Sequence, residues 1–241
     1  MIDGDSDRAS AQGPYGRLGA MGRIWVVIPM YNEATVIASV IEGLLPHFPY
    51  VVCVDDGSSD GSPEAARAAG AVVVQHPINL GQGASLQTGF EYALSDPLMT
   101  EVVTFDADGQ HQVDDAIGMV EKLRAEQLDV VVGSRFLDDR TKLGWAKKAV
   151  LRTAAFYTRI TTGMALTDAH NGLRVLSRGL LENVKIRQNR MAHASELIDQ
   201  IGTSKAKWAE YPTHIVYTEY SKAKGQSLLN SVNILVEILF R

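Results

Sequence analysis

Cysteine is almost missing from this chain: Cys53 is the single one among 241 residues. No intrachain disulfide can form, which fits a reducing cytosol and makes a cytoplasmic location the expectation. Cys53 sits in the apolar run YVVCVDD and reads as a small buried strand residue. A basic excess is also missing. Lys and Arg total 23 against 28 Asp and Glu, a net charge of −5. Nucleic-acid binders usually carry the opposite balance, so no nucleic-acid partner is expected. No stretch reaches the ~18–20 apolar residues of a transmembrane helix. The first 22 residues are polar, rich in Gly and Ser, and lack the apolar core of a signal peptide. They are expected to form a disordered tail. DGDSD within them lacks the following glycine and distal glutamate of a calcium loop.

What is present is an ordinary globular composition, 46% apolar and 21% charged. Ile24–Pro29 is a short continuous apolar run suited to a strand buried on both faces, and further strands are expected at Tyr50–Val54, Ala71–Gln75, Val102–Phe105 and Val130–Gly133. Helical spacing of apolar residues falls between them, at Thr35–Leu45, Ser62–Ala69, Ala84–Leu94 and Ile117–Glu126. This alternation predicts an α/β fold, a mostly parallel central sheet with helices on both faces. Ligands bind such sheets beyond the carboxyl ends of the strands. The polar segments MYNE, DDGSSDG, HPINLGQG, DADGQH and SRF all fall there.

The second half is less regular. Helices are expected at Trp145–Gly163, which carries Lys147, Lys148, Arg152 and Arg159, and at Arg190–Gly202. TDAHNGLRVLSR reads as a loop entering a short strand, and Trp208–Tyr217 as a strand. Leu228–Arg241 forms an amphipathic helix with Leu228, Val232, Leu235 and Leu239 in one stripe. At 1.5 Å per residue it spans about 20 Å, too short to cross a bilayer. The stripe is expected to pack on the domain or on a second protomer, which leaves a homo-oligomer open. No linker separates the halves, so residues 23–241 are expected to form one domain.

The densest chemistry lies in TFDADGQHQVDD. Asp106 and Asp108 are two residues apart at a strand end, so their side chains point the same way. Two hard carboxylates can seat Mg2+ or Mn2+ that keeps positions for water and substrate phosphate. Gln110 or His111 could add a ligand or a hydrogen bond. An EF-hand fails on spacing, because Gly109 comes at the fourth position of the loop instead of the sixth. Asp114 and Asp115 open the next helix, as N-cap and dipole partners. Asp55 and Asp56 could accept from a nucleobase or ribose, and Asp60 reads as a turn or cap residue. GQG at Gly81–Gly83 is a poor dinucleotide fingerprint: it follows the third strand, and Leu86 replaces the third glycine.

Six motifs occur in order: VVIPMYNE, VDDGSSDGS, NLGQGASLQTGFEYA, TFDADGQH, VVGSRF and DAHNGLRVLSR. Together they resemble the glycosyltransferase family 2 enzymes with a GT-A fold, above all the dolichyl-phosphate mannose synthase-like and polyprenyl-phosphate glycosyltransferase branch. The resemblance covers Ile24–Arg178 and implies a nucleoside-diphosphate sugar donor. Pro29, Tyr31, Glu33 and Asp56 would contact its nucleoside. Asp106 and Asp108 would hold Mg2+ or Mn2+ and the diphosphate, with Asp108 the direct ligand and Gln110 beside it. Arg135 would face a phosphate, Asp168 would lie near the reacting sugar, and Arg174 would support that loop. The late Arg-x-x-Gly-x-Ser-Lys pattern of the mannose synthases is replaced by KAKGQSL, where Lys222 and Lys224 remain to hold the diphosphate.

The implied reaction is a metal-dependent inverting transfer. A polyprenyl phosphate acceptor, met peripherally at a membrane surface, would want cations such as Arg135, Lys147 and Lys148. A sugar hydroxyl acceptor would need a base, for which Asp168, His193 and Glu196 are candidates. A nucleotidyltransferase would show a glycine- and basic-rich loop after the first strand, where this chain has MYNEAT. A non-catalytic binder would have lost Asp106, Asp108 or Arg135, and all three are present.

Overall fold

The computed structural model describes residues 22–138, 163–190 and 192–216. The expected tail, the helix at Trp145–Gly163 except its last residue, the end of the strand at Tyr217, the final helix, Lys147, Lys148, Lys222 and Lys224 lie outside the described residues.

Seven strands form one sheet: β1 (Arg23–Met30), β2 (Tyr50–Asp55), β3 (Val72–Gln75), β4 (Met99–Thr104), β5 (Val130–Ser134), β6 (Arg174–Ser177) and β7 (Trp208–Pro212). Their order is β3-β2-β1-β4-β6-β5-β7. Every neighbouring pair is parallel except those made by β6, which runs antiparallel to β4 and β5. Val103 and Val131 both lie opposite Val175 of β6. That strand therefore joins the β1–β4 half of the sheet to the β5–β7 half.

Period-two alternation of β1 assigns its side chains to two cores. Ile24, Val26 and Ile28 pack with Ile37, Ile41 and Leu44 of α1 (Ile37–Leu44) and Met119, Val120 and Leu123 of α4 (Val113–Ala125). Trp25 and Val27 pack on the other face with Leu86, Phe90 and Ala93 of α3 (Gln82–Leu94) and with Leu197, Ile198 and Ile201. Those last three belong to α6 (His193–Thr203); α2 (Ser62–Ala68) and α5 (Arg178–Leu181) are shorter. Cys53 is fully buried, and burial, with Asp55 nearby, pushes its thiol up to about 12. No helix among the described residues is long and apolar enough to cross a membrane.

Two expectations need correction. β7 stops at Pro212, because β5, its partner, ends opposite it at Ser134. Beyond it the chain turns sideways: the Thr213 N–H donates to Ser134 O (2.9 Å), that of His214 to Asp115 Oδ2 (2.6 Å) and that of Val216 to Gln110 O (3.0 Å). Asp115 therefore ties down this segment from within the first turn of α4. Neither it nor Asp114 is the N-cap; that position is Gln112, which makes no side-chain cap bond.

Candidate active site

The parallel strands β2, β1 and β4 end at the same edge, and a cavity of about 600 Å³ opens there. Pro29, Tyr31, Glu33, Asp56, Asp106 and Asp108 all line it. Six positions spread over three motifs thus converge on one space.

The loops around it are stitched to each other. After β1, Asn32 adopts a left-handed φ of 53°. Its N–H donates to Ser58 Oγ (2.9 Å), and its Oδ1 accepts from Ser59 N (3.0 Å). The N–H groups of Glu33 and Ala34 donate to Ser62 Oγ (2.7 Å) and Asp60 Oδ2 (3.1 Å). The Ser and Asp residues of DDGSSDGS therefore hold the MYNE loop in shape. Asp60 also accepts from the Ser62 N–H (3.1 Å), a capping contact beside Gly61, the N-cap residue of α2.

Asp56 serves the loop after β3. One carboxylate oxygen accepts from Leu80 N (2.9 Å) and contacts His76 Nδ1 (2.9 Å), and the other accepts from Gly81 N (2.7 Å). Its neighbour Asp55 accepts from Ser58 N (3.3 Å) through Oδ2, while its buried Oδ1 has no partner. GQG has a packing explanation as well. A Cβ on Gly81 or Gly83 would collide with the backbone of Asn189 or Gln188. Both glycines let the segment before α6 lie directly on the start of α3.

Asp106 and Asp108 follow β4. Asp106 Oδ2 contacts His111 Nε2 at 2.8 Å, yet 34% of its side chain stays exposed. His111 is buried edge-on against Phe105, and its Nδ1 has no partner. A Cβ on Gly172 would strike the Asp106 carboxylate, so the glycine of AHNG makes room for it. Asp108 accepts from Gln110 through both backbone N–H (3.1 Å) and Nε2 (2.7 Å). Burial and the neighbouring Asp106 and Glu33 charges, against opposing help from Gln110 and His111, push its carboxyl up to about 6. Two acids forced together at a cost are what a divalent cation relieves.

Asp106, Asp108 and the Gln110 amide therefore fit Mg2+ or Mn2+ by charge and by oxygen chemistry. Among the described residues no three His, Cys, Asp or Glu side chains form a closed cage. A cation here would take further oxygens from water and substrate phosphate, as Mg2+ commonly does.

Arg135 and Asp168 do not line this cavity. Arg135 Nε and Nη2 donate to the two Asp168 oxygens at 2.5 and 2.7 Å, a bidentate pair. Asp168 is 1% exposed. Burial opposes its charge, but Arg135 outweighs burial and holds the carboxyl below its usual range. Glu210 on β7 accepts from the backbone N–H groups of Thr167 and Asp168 (2.8 and 3.2 Å), a brace that no sequence pattern announced. Arg174 is buried at the start of β6, lowered to about 10 by burial and supported by the charges of Asp106 and Asp168. Its Nη2 donates to Ala169 O (3.4 Å) and its Nε has no partner, so it does brace the loop.

The other two base candidates are also engaged. Glu196 Oε2 accepts from the Arg187 and Gln188 N–H groups (2.9 and 2.8 Å). His193 is 4% exposed and bonds through Nδ1 to Arg190 O (2.7 Å); burial lowers its pKa. Sequence reasoning placed the HPINLGQG loop, with Asn79 and Gln82, at the ligand edge but missed Ser85 and Arg190 as cavity residues. The only signal was the glycine pair that brings Arg190 close.

Comparison with known proteins agrees with this geometry. The family model described as glycosyl transferase family 2 matches residues 25–185. A UDP-N-acetylglucosamine–dolichyl-phosphate N-acetylglucosaminyltransferase from Methanococcus voltae is 28% identical over 90% of this chain and 94% of its own. An undecaprenyl-phosphate mannosyltransferase from Micrococcus luteus is 28% identical over 68% of this chain and 70% of its own. In structure, glucosyl-3-phosphoglycerate synthase from Mycobacterium tuberculosis in complex with Mg2+ and UDP superimposes with a TM-score of 0.67. It is 20% identical and covers 90% of this chain and 76% of its own, a likeness that identifies the GT-A fold. The chain belongs to glycosyl transferase family 2 and is a glycosyltransferase, among relatives named for polyprenyl phosphates.

Proposed function

We propose that this protein moves a sugar from a nucleoside diphosphate to a polyprenyl (dolichyl-type) phosphate, by a divalent-cation-dependent, inverting displacement at a membrane surface on the cytoplasmic side. The observation that carries this reading is the Asp106–Asp108 pair at the end of β4. It stands in a cavity large enough for a nucleotide-sugar, with Asp108 raised to about 6 by burial and its acidic neighbours. Bound Mg2+ or Mn2+ would offset the charge that builds on the departing diphosphate.

The chain's own groups then have distinct tasks. Pro29, Tyr31 and Glu33, fixed by the Asn32 and Asp60 contacts, form the nucleoside side of the cavity. Asp106 is held by His111 Nε2. Gln110 orients Asp108. Inversion follows when the acceptor oxygen attacks the anomeric carbon opposite the leaving diphosphate, through a transition state with oxocarbenium character, as in glycoside hydrolysis.

The state of the base candidates favours a phosphate acceptor over a sugar hydroxyl. A phosphate oxygen is already anionic and needs no proton removed. Both Asp168 oxygens are taken by Arg135, and Glu196 Oε2 is taken by two backbone N–H groups. Of the three candidates, His193 keeps one ring nitrogen beyond its bond to Arg190. Arg135 with Asp168 forms a fixed ionic unit. The names of the relatives, dolichyl-phosphate and undecaprenyl-phosphate transferases, support this acceptor class. The UDP and Mg2+ of the structural neighbour support a metal-assisted nucleotide donor.

The test is a transfer assay with purified protein, labelled UDP-, GDP- and dTDP-sugars and Mg2+ or Mn2+, offering a polyprenyl phosphate or a free sugar. Labelled lipid with the inverted anomeric configuration is expected. Transfer to the sugar hydroxyl alone would replace the acceptor assignment.

A further inference from the structure

The segment Lys185–Arg190 has no regular secondary structure, yet its backbone is fastened at nearly every residue. Lys185 is held at both ends by Gln200, its N–H donating to Oε1 and its O accepting from Nε2, each at 2.8 Å. Ile186 N–H donates to Gln87 Oε1 (2.8 Å). Glu196 Oε2 takes the next two N–H groups. Asn189 O accepts from Gly83 N (2.8 Å), and Arg190 O accepts from both the His193 N–H (3.0 Å) and His193 Nδ1 (2.7 Å). Two helices supply these anchors, α3 and α6, and Gly81 and Gly83 give up side chains to let the segment in. An exposed segment needs none of this simply to connect α5 with α6, since water would satisfy its backbone.

What the fastening delivers is the Arg190 side chain. It is exposed, lines the cavity, and runs its stem over Gly81 with Cγ 3.2 Å from where a Cβ on that glycine would lie. The charged groups lining the cavity are otherwise carboxylates: Glu33, Asp56, Asp106 and Asp108. Among the described residues Arg190 is the one cation there, and no described side chain forms an ion pair with it. A guanidinium with no ion-pair partner among the described residues, in a cavity whose other charged groups are acids, is available to an anion that arrives from outside. Its planar fork matches two phosphate oxygens. Because the backbone is already ordered, binding does not have to order the segment as well.

We propose that Arg190 is a substrate-phosphate-binding residue, presented to the cavity by the clamped Lys185–Arg190 segment. The inference rests on the nucleotide-sugar and lipid-phosphate reading above, which offers two sources of phosphate, the donor diphosphate and the acceptor phosphate. In either case Arg190 supplies from the α3 side the positive charge that the β4 acids cannot.

The experiment measures equilibrium binding to wild type, Arg190→Ala, Arg190→Lys and Arg187→Ala, with Mn2+ present and melting temperatures compared. One arm sets UDP and GDP against uridine and guanosine; the other sets farnesyl phosphate against farnesol. Arg190→Ala is expected to weaken one phosphate ligand by roughly 10- to 100-fold and its phosphate-free counterpart hardly at all. The arm that responds names the source. Arg190→Lys should lose less, and Arg187→Ala, an exposed cation of the same segment away from the cavity, should bind as wild type. If Arg190→Ala binds both phosphate ligands as wild type does, or Arg187→Ala loses as much, the assignment is wrong while the function reading stands. If the wild type binds neither phosphate ligand, the function reading fails and this inference with it.

Discussion

His111 shows how much one side chain adds to an acidic pair. Sequence alone left it undecided between metal ligand and hydrogen-bond partner. Its Nε2 lies 2.8 Å from Asp106 Oδ2 while its Nδ1 is buried and unpartnered. That contact fixes the carboxylate's orientation. Removing such a supporting partner typically costs about 10- to 100-fold in metal affinity. His111→Ala is therefore expected to weaken Mn2+ binding in the presence of UDP by that order, read by calorimetry, with His111→Gln recovering part of it. Asp108 is strained in the opposite sense, crowded by Asp106 and Glu33. Metal-free Asp108→Asn should melt at or above the wild-type temperature, while Mn2+ plus nucleotide should no longer raise that temperature. A lower metal-free melting temperature would contradict the repulsion. Cys53, raised to about 12, should stay unreactive to a thiol reagent such as DTNB at pH 8 in the native protein and react fully in guanidinium.

At the scale of elements, apolar periodicity marked the strands and helices well because nearly all are packed on the sheet. β1, β2, β4 and β5 are buried on both faces, and a short apolar run marks each of them. Their ends were less legible. α4 begins at Val113, four residues before its first obvious apolar stripe, because Asp114 and Asp115 fill its first turn. The Trp208–Tyr217 run keeps its β-rich composition past Pro212, but sheet pairing ends where β5 ends. No local pattern carries that information. Asp115 illustrates the same limit: its position near the helix dipole was legible, its bond to the His214 N–H ninety-nine residues away was not. Asp115→Ala would leave that N–H unsatisfied. A loss of about 1–3 kcal/mol of stability in urea is expected, with faster amide exchange at His214; unchanged exchange there would show the bond to be dispensable.

For the whole molecule, the ordered motifs disclosed the site because each ends a strand and the parallel order β2-β1-β4 sends those ends to one edge. Pro29, Tyr31, Glu33, Asp56, Asp106 and Asp108 accordingly meet in one cavity. Arg190 was hidden, since it comes from an irregular segment whose position depends on contacts with α3 and α6. Motif reading also made Asp168 and Arg135 look like separate agents, whereas they are partners in one buried ion pair. The molecule thus places a strained acid pair, a braced arginine–aspartate unit and a nucleotide-sized cavity along a single sheet edge. The most direct measurement is transfer of labelled sugar from a nucleoside diphosphate to a polyprenyl phosphate by purified wild type and Asp108→Ala, with and without EDTA. The expected result is lipid-extractable product from the wild type that EDTA abolishes, and a loss of roughly 100-fold or more in the folded variant. Product formation by Asp108→Ala at the wild-type rate, or by wild type in EDTA, would contradict it.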